Sequence, residues 1–162
     1  MSPAPDMQNA ILRHTVATLA YRAGKALRGA PPEFASFRAA EGTRTPLEIL
    51  AHLGDLFDWA LGMADGKHVW NPVKADSWDT QVARFFAALE AFDNRLASPA
   101  PLGFDAGRLF QGPIADALTH VGQINMLRRM AGCAVRGENY FKAKIAVGHV
   151  GLDQAAPVVE FD

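Results

Sequence analysis

Two histidines, His52 and His120, stand where helical patterns call for apolar core residues. The first pattern runs Ile49, His52, Leu56, Trp59 and Met63, and the second runs Ala117, His120, Ile124, Leu127 and Ala131. Steps of three and four residues keep each set on one face of a helix. An imidazole is costly to bury unless another group binds it. The two positions therefore indicate a metal ion held between two helices.

Asp116 offers a third donor, because it precedes His120 by four residues. Side chains four apart on a helix are neighbours, about 5–6 Å apart at Cβ, so one ion could bridge both while His52 arrives from the other helix. Two imidazoles and one carboxylate leave coordination positions open for water or substrate. The set therefore predicts a divalent-metal site of the kind that suits catalytic zinc and equally non-haem iron. The sequence does not identify a catalytic residue beside these three candidate metal ligands.

Three polar residues on the same helices could form hydrogen bonds with the two histidines. Glu48 and Asp55 flank His52, and Gln123 follows His120 by three residues. Ligating histidines usually donate their second N–H to such a group. The alternative for all three is that they face solvent at the edge of the apolar stripe.

Each ligand also has an explanation without a metal. A single histidine on an apolar stripe is more often a hydrogen-bonded core residue than a ligand. An acidic residue in the first turns of a helix, such as Asp116, is favoured by the helix dipole. The other histidines are predicted to lie on the surface or in loops: His14, His68 and His149.

Four amphipathic segments can position these side chains. The patterns predict helices over Met7–Leu27, Thr45–Met63, about Ser77–Leu96, and about Pro113–Ala131. The second helix has the clearest start, since Thr45, Pro46 and Glu48 form a Thr-Pro-x-Glu capping box. Ser77 is the expected N-cap of the third helix, and Gly29 with Pro31 and Pro32 ends the first.

The predicted fold is all-α: one domain over residues 1–162, built as an antiparallel four-helix bundle from about residue 7 to 132. The tail, residues 133–162, is expected to carry a short extra helix around Glu138–Lys144. Its apolar segments, Ile145–Val150 and Val158–Phe161, are too short to predict a sheet.

Composition narrows the functional classes. Apolar residues make up 49% of the 162 residues and charged residues 20%, with a formal net charge of -1. The mixed charges give no basic face for nucleic acid and no attraction to an acidic membrane. Cys133 is the single cysteine, so no internal disulfide can form. With no signal-like start and no apolar run near the ~20 residues of a membrane span, a cytoplasmic protein is expected.

Two segments carry a family resemblance. The run His120-Val-Gly-Gln123, followed by Leu127-Arg128, resembles the last helix of the DinB-like bundle family, and Ile49-Leu-Ala-His52-Leu-Gly-Asp-Leu56 is similar to that family's second-helix motif. The resemblance covers roughly residues 7–132. It implies a four-helix bundle, often dimeric, that holds a divalent metal with three histidines. By position His52 and His120 match two of these, whereas Asp116 stands in place of the third.

The resemblance also implies an activity. Some members are transferases or isomerases that use a low-molecular-weight thiol. The first hypothesis is therefore a homodimeric enzyme that holds zinc, nickel or iron with His52, Asp116 and His120 and transfers a thiol to a small electrophile. Apart from the resemblance, nothing in the sequence selects this reaction over hydrolysis. The alternative is a non-catalytic dimeric bundle with a structural or degenerate metal site. Under that alternative, Phe86 and Leu61 are candidate interface residues.

Overall fold

The fold is mostly helical, and the computed structural model describes residues 5–162. The helices are α1 (Pro5–Leu27), α2 (Pro46–Ala64), α3 (Trp78–Ala97), the short α4 (Ala106–Leu109) and α5 (Ala115–Met130). A π turn, Phe110–Ile114, joins α4 to α5. Two 3-10 turns, Pro32–Ser36 and Tyr140–Lys142, and two strands, β1 (Gly137–Glu138) and β2 (Glu160–Phe161), complete the elements.

The predicted starts of α2 and α3 and the predicted end of α1 are confirmed, whereas α1 begins at Pro5, two residues before the predicted Met7. Thr45 and Glu48 form the reciprocal capping box, with Pro46 at the first helical position. Ser77 accepts a hydrogen bond from the Thr80 N–H at the start of α3. Gly29 follows the end of α1 with a φ of 64°, a left-handed conformation that glycine adopts without strain.

The last long helix begins earlier than predicted. The sequence analysis placed its start near Pro113, but helical backbone already begins at Ala106, where the Asp105 carboxylate accepts from the Arg108 N–H at 3.0 Å. Pro113 lies inside the π turn. Because proline lacks an N–H, a local widening of the helix accommodates it, and the extra residue shifts the face that α5 presents.

The four long helices surround one apolar core. Helix α1 packs against α3 and α5, and α2 packs against the same two helices, so each long helix has two neighbours. The largest fully buried side chains come from all four helices and their connections: Leu19, Phe34, Leu50, Leu53, Phe57, Phe85, Leu89, Phe92, Leu96, Leu109, Ile114 and Ile124. The apolar stripes predicted from the sequence thus face inwards.

The helix directions correct the predicted antiparallel arrangement. Asn9 bonds the Leu96 carbonyl and Arg13 pairs with Asp93, so α1 and α3 are antiparallel. Helices α2 and α3 are parallel instead. Arg84, early in α3, bonds the Ala51 carbonyl, and Arg95, near the end of α3, bonds the Ala64 carbonyl.

The long connection between α2 and α3 makes this parallel arrangement possible. A helix of about 20 residues is roughly 30 Å long, so a parallel neighbour requires the chain to return over that distance. Residues 65–77 can span this distance in extended form, at up to about 3.3–3.6 Å per residue. This segment, which we call the return loop, therefore runs back along α2 towards its N-terminal half.

The C-terminal tail packs against α1 of the same chain. The short helix expected around Glu138–Lys144 is only a 3-10 turn, Tyr140–Lys142. The tail also contains a two-residue antiparallel strand pair that the sequence analysis did not predict, with Gly137 opposite Phe161 and Glu138 opposite Glu160. Two ion pairs from Lys25 of α1, to Glu138 and Glu160, hold this pair in place.

Arg128 connects the ends of α1 and α5. Its guanidinium donates to the carbonyls of Ala26 at 3.0 Å, Arg28 at 2.8 Å and Gly29 at 3.3 Å, while its Nε bonds the Cys133 carbonyl at 2.8 Å. A helix leaves its last carbonyls without intrahelical partners, and the buried arginine satisfies them.

We expect Arg128→Met to lower the free energy of unfolding by about 2–4 kcal/mol, because several buried carbonyls lose a charged donor. The matched variant Arg129→Met removes an exposed arginine from the same turn and should change stability by less than about 0.5 kcal/mol. Urea unfolding followed by circular dichroism measures both. Equal effects of the two variants would contradict the capping role of Arg128.

Phe86 is unsuited to the subunit interface suggested for it. Its side chain is buried in the core of its own chain, against Phe85 at a ring distance of 5.0 Å. Leu61 is half-buried. None of the helices described within residues 5–162 combines the length and apolar character required to cross a membrane.

Candidate metal centre

The structure brings together the three side chains predicted as metal ligands. His52 projects from α2, and Asp116 and His120 project from the first two turns of α5. One donor atom from each residue lies within 4.8 Å of the others. The His52 Nε2 is 3.4 Å from Asp116 Oδ2, and the His120 Nε2 is 3.5 Å from Asp116 Oδ1. The two imidazole rings are 4.7 Å apart between centroids.

These separations are long for hydrogen bonds and are compatible with a shared cation. An N–H···O bond has a usual length of about 2.9–3.0 Å, shorter than both contacts. Two ligands of a tetrahedral zinc ion, each about 2.0–2.2 Å from the metal, lie roughly 3.3–3.6 Å apart. The His52 distance of 3.4 Å runs to Oδ2 and the His120 distance of 3.5 Å runs to Oδ1, and each falls in that interval, so the donor set could hold a divalent ion through one carboxylate.

Gln123 fixes the orientation and tautomer of His120. Its Oε1 lies 2.7 Å from His120 Nδ1, and an amide oxygen can only accept, so Nδ1 carries the hydrogen. In the neutral ring, Nε2 then presents a lone pair towards the Asp116 carboxylate. Two acceptors facing each other repel unless a positive charge lies between them, which favours a cation at this point.

Burial keeps His52 in the form that a metal requires. Burial, and next the proximity of His120, lower the pKa of His52 below its ordinary value, and they outweigh the opposing effect of Asp116. The positive charge of Arg44 acts in the same direction. A lowered pKa favours the neutral imidazole, whose ring nitrogen has a free lone pair near neutral pH.

The site opens to solvent on the side of its carboxylate. The side chain of Asp116 is 46% exposed, whereas those of His52 and His120 are 19% and 12% exposed. The imidazoles are therefore fixed by the packing of α2 against α5, and the carboxylate faces water. Asp116 is therefore the member of the cluster that is most accessible to solvent.

The other two residues predicted to support the ligands bind elsewhere. The Glu48 carboxylate accepts from the Thr45 N–H at 2.7 Å in the capping box, and this bond lowers its pKa. Asp55 is buried, and its Oδ1 accepts from the Val73 N–H at 3.0 Å and from Arg84 at 2.7 Å. Asp55 therefore fixes the return loop rather than a histidine.

The sequence analysis missed the aromatic neighbour of the site. Trp70, from the return loop, lies 5.5 Å from His52 between ring centroids. Trp59, which the pattern placed in the core of α2, contacts Trp70 at 5.7 Å and also lies against Gly112 of the π turn. Loop residues follow no periodic pattern, so the only available signal was an apolar indole in an otherwise polar connection.

The remaining histidines lie outside this cluster. His14 and His149 are exposed, as predicted. His68 is in the return loop, where its ring contacts Trp59 at 5.5 Å and Phe104 at 6.2 Å. Within residues 5–162, His52, Asp116 and His120 are the only group of three such donors close enough to share an ion.

Comparison of the chain with models of known protein families, with curated proteins and with solved structures gave no match. The DinB-like resemblance therefore rests on the two sequence segments around His52 and His120, and the functional argument rests on the geometry of the site.

Proposed function

We propose that this protein is a divalent-metal-dependent enzyme whose metal is held by His52, Asp116 and His120. The observation that supports the proposal is the convergence of two imidazole nitrogens and one carboxylate oxygen within 4.8 Å of one another. Three protein ligands leave coordination positions for water or substrate, as in catalytic zinc sites.

The proposed reaction is the transfer of a low-molecular-weight thiol to a small electrophile. When bound, a divalent ion lowers the pKa of a coordinated thiol or water, so that a nucleophile exists near neutral pH. The chain's own residues have separate roles in this proposal. His52 and His120 provide two imidazole ligands, Gln123 fixes the His120 ring, and the Asp116 carboxylate lies at the open side of the site.

Membership of the DinB-like family is part of the proposal and rests on the two motifs. Asp116 distinguishes this chain from the three-histidine pattern that the resemblance implies. A carboxylate reduces the net charge of the occupied site by one and shifts metal preference towards harder ions, so zinc and iron(II) suit it better than softer metals. A homodimer is also proposed, on the resemblance alone.

The first test is metal analysis of protein purified without a nickel column. We expect one equivalent of a divalent metal per chain, or stoichiometric uptake of added zinc after treatment with a chelator. Activity is then measured with a panel of low-molecular-weight thiols and small electrophiles, with and without metal. Protein that neither contains nor takes up metal would overturn the proposal; a full metal site without turnover would favour the non-catalytic bundle.

Gln123 allows a test of how the His120 ring is held. We expect Gln123→Ala to lower the affinity for zinc by about tenfold, because loss of a partner to a ligating histidine typically costs ten- to a hundredfold. Competition with a chromophoric chelator measures the affinity. The exposed Met126 on the same helix gives the control Met126→Ala, which should bind zinc as tightly as the wild type.

A further inference from the structure

The return loop places an indole ring beside His52 of the candidate metal centre. Trp70 lies 5.5 Å from the His52 ring at an angle of 62°, and 5.7 Å from the Trp59 ring at 89°. Both contacts are edge-to-face, the arrangement that the aromatic quadrupoles favour. The two neighbours hold the orientation of Trp70, yet 44% of the residue remains exposed.

A buried polar contact fixes the loop that carries this ring. The Val73 N–H donates to the buried carboxylate of Asp55, which Arg84 also binds. Arg84 in turn lies across Gly54, where a Cβ would come within 2.8 Å of its Nη1. The backbone three residues beyond Trp70 is therefore anchored to α2 and α3, and the indole does not depend on a freely moving loop.

The apolar surface of this loop faces solvent next to the site. Val69, Trp70 and Val73 are all exposed, in a segment whose other residues are mostly polar. Exposed apolar residues that cluster at a polar site mark a binding surface more often than isolated ones do. A preorganised ring binds a planar group at a low entropic cost, because little side-chain freedom is lost.

We propose that Trp70, held by Trp59, forms an aromatic subsite for the metal centre and selects substrates that carry an aromatic or other planar apolar group beside their metal-binding end. This inference rests on the proposed function, since the metal would bind the polar end of the same molecule. Trp70 acts here on specificity: it contacts the substrate's planar group and takes no part in the chemical step.

Two hydroxamates separate the subsite from the metal site. Acetohydroxamate and benzohydroxamate bind a divalent ion through the same two oxygens, and only the second carries a ring. Titration calorimetry of each probe into zinc-containing protein gives the ratio of their affinities. The variants are Trp70→Ala, Trp70→Phe and the control Lys74→Ala, which changes an exposed polar residue of the same loop. Comparison between variants cancels the intrinsic difference between the two probes.

We expect the preference for benzohydroxamate to fall about five- to tenfold in Trp70→Ala, the size of a lost aromatic contact. Trp70→Phe should keep most of the preference, Lys74→Ala should keep all of it, and acetohydroxamate should bind all four proteins equally. An unchanged ratio in Trp70→Ala would overturn the subsite while leaving the metal site intact. Equal weakening of both probes would also overturn it, since Trp70 would then support the ligands instead.

Failure of the proposed function has a different signature. If acetohydroxamate does not bind zinc-treated wild-type protein, the proposal of a metal centre is wrong, and the proposal of an aromatic subsite is rejected with it.

Discussion

Replacement of His120 by alanine is expected to lower the affinity of the protein for zinc by at least a hundredfold. Loss of an outer partner of a ligating histidine already costs about ten- to a hundredfold, and His120 is proposed as a ligand itself. The fold should survive, because His120 lies at the edge of the core and makes one side-chain hydrogen bond, to Gln123. Competition with a chelator measures the affinity, and circular dichroism verifies the helix content.

His14→Ala is the matched control, because it removes an exposed histidine of α1 far from the cluster in the sequence. It should bind zinc as the wild type does. Equal zinc affinities of His120→Ala and the wild type would show that the three side chains do not share an ion.

Thermal unfolding distinguishes a ligand from a core histidine. Zinc at a hundred times its dissociation constant should stabilise the wild type by about 2.7 kcal/mol. In His52→Leu this metal-dependent gain should disappear, whereas the metal-free variant should be as stable as the wild type or more so, because leucine avoids the cost of a buried imidazole. A zinc-dependent gain that persists in His52→Leu would exclude His52 as a ligand.

Replacement of Glu138 by alanine is expected to lower the free energy of unfolding by about 3 kcal/mol, near the usual cost of breaking a buried ion pair. The Glu138 side chain has no exposed surface, and its Oε2 lies 3.0 Å from Lys25 Nζ, itself 8% exposed. Tyr21 donates a second hydrogen bond to the same carboxylate. In Glu138→Ala, the buried ammonium of Lys25 keeps one carboxylate partner, the partly exposed Glu160, whose Oε1 lies 2.7 Å from Lys25 Nζ.

Two variants give this prediction its controls. Asp162→Asn breaks the exposed pair with Arg136 and should cost less than about 0.5 kcal/mol. Glu138→Gln keeps a hydrogen-bond acceptor for Tyr21 but removes the charge, so it should be nearly as destabilising as alanine if the ion pair dominates. Urea unfolding measures all three. A cost below 1 kcal/mol for both Glu138 variants would mean that the tail contributes little to the stability of α1.

The same cluster predicts a loss of stability in acid. Hydrogen bonding from Lys25, together with the charges of Lys25 and Arg136, lowers the pKa of Glu160 below its ordinary value. A carboxylate with a lowered pKa in the folded state stabilises the fold at pH values above its unfolded pKa, and this contribution is lost as the pH falls through the folded pKa. The attachment of the tail should therefore weaken below about pH 4.

The local pattern of residues determined the helices and the candidate ligands. Apolar spacing predicted the inward faces of α1, α2 and α3, and the capping residues Thr45 and Ser77 predicted two helix starts. These features depend on neighbours within four residues, so a single sequence contains them. The same spacing showed that His52 and His120 both face inwards, and that Asp116 shares a face with His120.

Tertiary structure decided what surrounds those ligands. Nothing in the spacing of α2 indicated that Asp55 would bind Arg84 and the return loop, because its partners lie 18 and 29 residues further along the chain. The π turn around Pro113 also escaped prediction, since a proline near a helix start fits the first helical position equally well.

The direction of the third helix had the largest consequence. A pattern of apolar residues reads the same in either direction, so the sequence determined that α3 buries one face in the bundle but not that α3 runs parallel to α2. The parallel arrangement requires residues 65–77 to return along α2, and that path brings Trp70 beside His52. The candidate ligands could thus be predicted from the sequence. The surface around them, including Trp70, depends on how the helices are connected in space.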